Sequence, residues 1–395
     1  MEGDFIRIDK KLLPLSWLYG CVVGFRNMLF EMNVLKNRSY SVPVISVGNI
    51  TVGGTGKTPH VEYLVRLLKD KINVAVLSRG YKRKTSGFVL AKKDTPLQNI
   101  GDEPYQMKQK YPEIEVAVDA KRTRGIDRLT QGREAGKDID VVLLDDAFQH
   151  RYVNPGINIL LVDYHRLIIH DVLLPAGRLR EPVNGKDRAD IVIVTKCPKE
   201  LTPMEFRVLI KQMNLYPYQQ LFFTTLDYEP LMPVFPKSGG QKHSLSLDVL
   251  EGKHVLLLTG IASPIQMLTD LSAYSSDIEP LTYGDHHRFK KKDVRQINET
   301  FEHMTSPKLI VTTEKDAVRL RDAEGLSEEV KKNIYALPIK ISFMQNGEES
   351  FNEKIIGYVR KNSRNSILAK GKDGHKPKNG NHSGNRPRTI VFRNN

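Results

Sequence analysis

A lysine and a threonine placed directly after a glycine cluster are residue types that bind polyphosphate. Lys57 and Thr58 stand so in VGNITVGGTGKTPH, Val47 to His60. Gly53, Gly54 and Gly56 permit positive φ and, with Thr55 between them, let backbone N–H groups turn toward an anion at a helix N-terminus. Lys57 would reach the β- and γ-phosphates, and the Thr58 hydroxyl would hold Mg²⁺. The stretch departs from G-x-x-x-x-G-K-[ST] at one position, since Thr51 stands where the first glycine is expected. The GGxGKT form also occurs in partitioning-type ATPases, which carry a lysine just before the glycine pair. Val52 occupies that position here and argues against that class.

A phosphate loop needs a carboxylate for its metal. VVLLDDAFQHR supplies Asp145 and Asp146 at the end of an apolar run, where one side chain can face Mg²⁺ and the other serve a second task. Phosphoryl transfer also needs a group that takes a proton, and NIGDEPYQM sets Asp102 and Glu103 in a turn bounded by Gly and Pro. Arginines suited to spreading phosphate charge occur in SRGYKRK (Arg79, with Lys82), in VDAKRTRG (Arg122 and Arg124) and in LLPAGRLREP (Arg178 and Arg180). GDHHRFKKKD places His286 and His287 beside Asp285, an arrangement open to proton relay or metal ligation.

The elements that must position these residues are legible as continuous Val/Ile/Leu runs: VPVISVGN, INVAVLSRG, EVAVD, VVLLDDA, INILLVD and ADIVIVTK. Such runs belong to strands buried on both faces of a parallel sheet. Helical patterns between them, such as HVEYLVRLL, predict repeated βαβ units and a doubly wound, mostly parallel P-loop sheet. Near Leu221 the texture becomes extended and proline-punctuated, and a smaller α/β domain follows. The expected organisation is an N-terminal apolar helix (1–35), a P-loop domain (36–220), a smaller α/β domain (221–360) and a basic tail (361–395).

Net charge is +14, and the tail carries nine Lys/Arg against one Asp. Its composition, rich in Gly, Asn, Lys and Pro, predicts disorder. With no interleaved aromatic platform, the chain is not expected to bind nucleic acid. Cys21 and Cys197 form neither a disulfide framework nor a zinc pattern. Leu12 to Phe25 is uncharged, flanked by Arg7, Lys10, Lys11 and Arg26, and short of the ~20 residues that span hydrocarbon. It fits either an interfacial helix, with Trp17 and Tyr19 at headgroup level, or a core-packing first helix.

Taken in order, VGNITVGGTGKTP, SRGYKRK, GDEP, VDAKRTRG, LLDDAFQHR, LLPAGRLREP, DHHRF and VTTEKDAVRL resemble the tetraacyldisaccharide 4′-kinase (lipid A 4′-kinase) family, from the N-terminal helix to about Arg360. The resemblance implies a two-domain kinase that uses ATP and Mg²⁺ to phosphorylate the 4′-hydroxyl of a tetraacylated glucosamine disaccharide 1-phosphate. It also implies attachment by the N-terminal helix to the cytoplasmic face of the bacterial inner membrane, with the lipid A precursor as partner and no protein partner. Asp102 resembles the residue that accepts the hydroxyl proton, assisted by His286, the histidine directly after Asp285. Lys57, Asp145 and Asp146 complete the expected catalytic set. Asn49, Glu103, Arg122, His150, Arg180 and Glu181 match the substrate and phosphate cleft, with Glu103 a further candidate for the metal. The alternative is a P-loop switch ATPase that couples hydrolysis to partner binding; it calls for a lysine at position 52 and has no need of an apolar first helix.

Overall fold

The computed structural model describes residues 8–131, 136–236, 244–261, 264–284 and 287–372. Two units divide them: residues up to Leu226 together with those from Ile341 onward, and Asp227–Lys340 between them.

In the larger unit, helix α1 (Leu13–Glu31) precedes strand β1 (Val44–Gly48), which leads through the glycine-rich loop into α2 (Lys57–Leu68). There follow β2 (Val74–Ser78), β3 (Val89–Leu90), α3 (Leu97–Ile100), α4 (Asp102–Lys110), β4 (Glu115–Val118), α5 (Arg122–Thr130), β5 (Val141–Asp145), β6 (Ile157–Asp163), β7 (Ile191–Thr195), α6 (Pro203–Met213) and β8 (Gln220–Tyr228). β1, β2, β5 and β7 are buried at every residue, as unbroken apolar runs require when both faces of a sheet are covered. α2 buries Val61, Leu64, Val65 and Leu68, an i, i+3, i+4, i+7 stripe, against one face of the sheet. α5 and α6 cover the other face with Ile126 and Leu129, and with Phe206, Leu209 and Met213.

The smaller unit holds β9 (Met232–Pro233), β10 (His254–Thr259), α7 (Ile265–Leu271), β11 (Ile278–Thr282), α8 (Lys291–His303), β12 (Lys308–Thr313), α9 (Glu314–Arg321), α10 (Glu328–Asn333) and β13 (Ile334–Leu337). Its sheet runs β11-β10-β12-β13-β9, parallel except for β9.

The chain then re-enters the larger unit through β14 (Ile339–Phe343) and α11 (Gly347–Lys372). The sequence reading assigns everything from 221 to 360 to the smaller domain, and here the structure differs. Phe351, Ile355 and Val359 of α11 share one core with Val61, Leu64 and Leu68 of α2, and β14 extends the larger sheet beyond β8. α11 thus supplies apolar cover that the larger sheet would otherwise lack, a relation between distant segments that local periodicity does not carry.

The larger sheet runs β14-β8-β7-β6-β1-β5-β2-β4-β3, parallel at each pairing from β8 to β4 and antiparallel between β3 and β4. β1 lies between β5, reached after the excursion to β2 and β4, and β6, which starts the opposite half. The direction of winding reverses beside β1, and in open α/β sheets ligands bind outside the carboxyl ends of the strands at such a point. The glycine-rich loop leaves β1 there.

Candidate active site

The loop explains its own departure from the glycine pattern. Thr51 forms an isolated antiparallel bridge with Leu179: Arg180 N donates to Ile50 O at 2.7 Å, and Val52 N to Arg178 O at 2.8 Å. Thr51 is therefore a bridge residue, nearly buried, and its Oγ1 accepts from Asn49 Nδ2 at 3.2 Å. Positive φ is needed later, at Gly53 (120°) and at Gly56 (78°), which caps α2. Both positions are glycine.

Lys57 opens α2 with its Nζ 3.6 Å from Asp146 Oδ1 and 3.5 Å from Asn49 Oδ1. Arg180 NH1 lies 3.5 Å from the same Asp146 oxygen. Asp146 adopts φ 50° just past the end of β5, which is how two adjacent acids acquire different surroundings. Burial pushes its carboxyl up, but Lys57, Arg180 and Arg122 outweigh burial and hold it below the usual range. Asp145, buried at the strand end, is pushed up to about 7 by burial, then by the charges of Glu103 and Asp146. Asp145 Oδ1 is buried without a hydrogen-bond partner.

Arg122, the first residue of α5, is buried at 2% exposure beneath these acids. It donates to the main-chain carbonyls of Asp119 (2.6 Å), Asp145 (3.0 Å) and Asp146 (3.5 Å). Burial lowers its pKa to about 10, so it stays charged at neutral pH. His150 is held down at about 4, by burial first and then by Arg122 and Arg79, and is neutral at pH 7. Asn49 is fully buried, and its carbonyl accepts from Gln149 Nε2 at 2.8 Å. Glu181 is buried and takes Arg188 NH2 at 2.7 Å.

Asp102 and Glu103 form the first turn of α4, entered through Gly101 at φ 90°. Glu103 comes near enough to Asp145 to act on its charge. Asp285 and His286 lie outside the described residues, as does the tail beyond Lys372. His287 is described: its Nε2 lies 2.9 Å from Asp293 Oδ2, and its ring stacks on Tyr283 at 4.8 Å between centroids. In the same unit Asp316, from VTTEKDAVRL, is fully buried; its carboxylate accepts from Gly260 N (2.8 Å), Thr313 Oγ1 (2.7 Å) and Arg319 NH1 (2.9 Å).

Four residues that sequence reasoning did not single out touch the loop or brace it. His60 Nδ1 lies 2.7 Å from Gly56 O, and Nε2 lies 3.1 Å from Thr224 Oγ1. A carbonyl only accepts, so Nδ1 carries the proton and Nε2 accepts from the threonine. Burial holds this ring at about 4, neutral as that bonding requires. Thr195 and Lys196, with Asp163, stand at the carboxyl ends of β7 and β6. The closing Thr-Lys of the apolar run ADIVIVTK is the signal that marks them.

α1 lies on the segment that carries Arg180 and Glu181. Tyr19 Oη donates to Arg180 O at 2.9 Å, Ala176 N to Ser16 Oγ at 2.9 Å, and Arg26 NH2 to Gln149 O at 3.1 Å. Its other face leaves Leu15, Trp17, Leu18, Val22 and Phe25 exposed, with Trp17 at 73%. No helix among the described residues is long and apolar enough to cross a membrane.

A glycine-rich loop after the central strand, Lys-Thr opening the next helix and acids ending the neighbouring strand define a P-loop nucleotide-binding protein of the α/β class. A family model described as tetraacyldisaccharide-1-P 4′-kinase (LpxK) matches residues 8–360, and the chain belongs to that family. It is 58% identical over 367 residues to a tetraacyldisaccharide 4′-kinase of Phocaeicola vulgatus, covering 93% of this chain and 99% of the relative. A protein of the same name from Bacteroides thetaiotaomicron is 53% identical over 380 residues, covering 95% of this chain and all of the relative. The crystal structure of LpxK from Aquifex aeolicus in complex with ATP superposes with a TM-score of 0.67 at 29% identity, covering 88% of this chain and 98% of that one.

Proposed function

We propose that this chain transfers the γ-phosphate of ATP to the 4′-hydroxyl of a tetraacylated glucosamine disaccharide 1-phosphate, the step that yields lipid IVA in lipid A biosynthesis. The observation that carries it is the Lys57–Asp146–Arg180 cluster at the mouth of the glycine-rich loop, in a chain whose family membership spans residues 8–360. The same membership favours the kinase over the switch ATPase.

Catalysis of phosphoryl transfer is mostly positioning and charge stabilisation. The loop amides and Lys57 bind the terminal phosphates, and Arg180 meets charge that develops on the transferred group. Arg122 acts from beneath, fixing the carbonyls of both strand-end acids. Asp102 takes the proton of the attacking hydroxyl; His286 is proposed as its assistant on the family resemblance alone.

The acids fit a divalent cation. Asp145 has a buried, unpartnered oxygen, and burial first, then the charges of Glu103 and Asp146, push its pKa up, a strain that a cation would relieve. Among the described residues no group of three or more His, Cys, Asp or Glu could hold a metal ion by itself, so a Mg²⁺ bound here would take one or two carboxylates and complete its shell with water and phosphate. Asp145, Asp146 and the Thr58 hydroxyl would hold it, with Glu103 at the margin. When bound, Mg²⁺ supplies charge neutralisation across the β- and γ-phosphates.

The test is transfer of label from [γ-³²P]ATP to the disaccharide 1-phosphate in detergent. Asp102→Ala is expected to lower kcat about 100-fold, the lower end of what a positioned base contributes, with the KM for ATP little changed. ATP turnover without labelled lipid from the unaltered chain would sink the kinase reading, and an Asp102→Ala variant with full kcat would remove Asp102 from it.

The exposed face of α1 supports attachment to the cytoplasmic face of the inner membrane as a peripheral protein, since buried apolar side chains drive interfacial binding. Trp17→Glu with Val22→Glu, both outward-facing, is expected to shift the chain from the vesicle-bound to the free fraction in sedimentation with anionic liposomes, at unchanged thermal stability. An unchanged bound fraction would assign attachment to another surface.

A further inference from the structure

The carboxyl end of β7 carries a clasp on the phosphate loop. Thr195 Oγ1 donates to the Thr55 carbonyl at 3.1 Å and also contacts the Val162 carbonyl at 3.3 Å. Lys196 Nζ donates to the Gly54 carbonyl at 2.6 Å and to Asp163 Oδ2 at 2.7 Å. Asp163 is itself fixed, because its Oδ1 accepts from His165 N at 3.0 Å. The lysine backbone sits at φ 57°, in the left-handed region that few non-glycine residues occupy.

Two consequences follow from where these atoms lie. The first concerns the loop. Its successive carbonyls of Gly54 and Thr55 are both turned toward β7, and a peptide plane whose oxygen is held on one side presents its N–H to the other. The clasp therefore fixes the orientation of the amides that meet phosphate. The second concerns direction. Lys57 reaches toward Asp146, which follows β5, whereas β6 and β7 lie on the opposite side of β1. A nucleoside triphosphate whose terminal phosphate lies beside Lys57 and Asp146 extends the other way, past Gly54, and its nucleoside comes over the methylene stem of Lys196.

We propose that Lys196, braced by Asp163, is a nucleotide-positioning residue that sets the phosphate loop through the Gly54 carbonyl and carries the nucleoside on its stem. The proposal rests on ATP as the phosphoryl donor. The chemistry is that of an ammonium group spent on a carbonyl and a carboxylate, which leaves the exposed part of a partly buried four-carbon stem as apolar surface for a flat aromatic base.

The full-length chain tests it with Lys196→Ala, Lys196→Arg and Asp163→Asn. In steady-state transfer, Lys196→Ala is expected to raise the KM for ATP about tenfold, the effect of one charge-assisted hydrogen bond, and to leave the KM for the lipid unchanged. Lys196→Arg is expected to recover most of that loss, since a guanidinium can meet both acceptors. Calorimetric titration reads binding apart from transfer, so it stays decisive even if the lipid is not phosphorylated. Lys196→Ala is expected to weaken inorganic tripolyphosphate through the loop and to weaken ATP further through the stem. An unchanged ATP affinity, or equal losses for ATP and lipid, would overturn the proposal. Equal losses for ATP and tripolyphosphate would overturn the nucleoside contact and uphold the loop role. Should Lys196→Ala not fold, Asp163→Asn is expected to shift the ATP affinity in the same direction by a smaller factor, and no shift there would overturn the bracing.

Discussion

Lys57→Ala is expected to cost about 1,000-fold in kcat, the upper range for removing one preorganised donor from a site of developing charge. The reason lies in what Lys57 touches. Its Nζ sits between Asp146 Oδ1 and Asn49 Oδ1, two protein groups that fix its place at the mouth of the loop. The ammonium is thus held in place for phosphate and needs no reorganisation when charge moves. Without it, Asp146 keeps, among the described residues, Arg180 as its cation within ion-pair distance, and the lost attraction leaves a carboxylate facing the incoming polyanion. The KM for ATP is expected to rise less than kcat falls, because the loop amides would still bind the β-phosphate. Single-turnover transfer with saturating ATP checks it. A variant that keeps more than a tenth of the rate would mean that another cation serves the terminal phosphate.

Arg122→Ala is expected to damage fold and activity together. The guanidinium is buried beneath Asp145 and Asp146 and ties three carbonyls of two elements. Truncation leaves a cavity, three carbonyls short of a donor, and the buried Asp145 and partly exposed Asp146 without a cation that now lowers the pKa of both. Removing one partner of a buried charge cluster costs about 3–5 kcal/mol. Denaturant titration at neutral pH is expected to show a loss of that size, and Arg122→Lys to recover little of it, since an ammonium cannot span the three acceptors that the planar fork reaches. A loss under 1 kcal/mol for Arg122→Ala would show that water replaces the guanidinium at no great cost.

Much of this site can be read in the sequence because it is local. GGTGKT follows a buried strand, DDAF ends another, and both facts are written in consecutive residues. Long-range relations were less legible. Thr51 looks like a defect until its pairing with Leu179 is seen, and that pairing joins segments far apart in the chain. Two neighbouring aspartates could not be told apart by pattern, because a positive φ at Asp146, not strand alternation, sets their directions. His60 reads as one more helical residue; only its contact with Thr224 on β8 shows that it holds the loop. The return of residues 341–360 to the larger unit is illegible for the same kind of reason: α11 completes a core whose other buried members precede residue 230.

That return of the chain has a consequence for synthesis. Strands β10 to β13 find their partners within one continuous segment, so the smaller unit can complete its sheet as soon as that segment leaves the ribosome. The larger unit begins first yet must finish last. The core that joins Val61, Leu64 and Leu68 to Ile159, Ile193 and Phe222 stays incomplete until Phe351, Ile355 and Val359 are made. The order of emergence and the order of completion are therefore reversed between the two units, and the nucleotide-binding half of the chain is the one that waits.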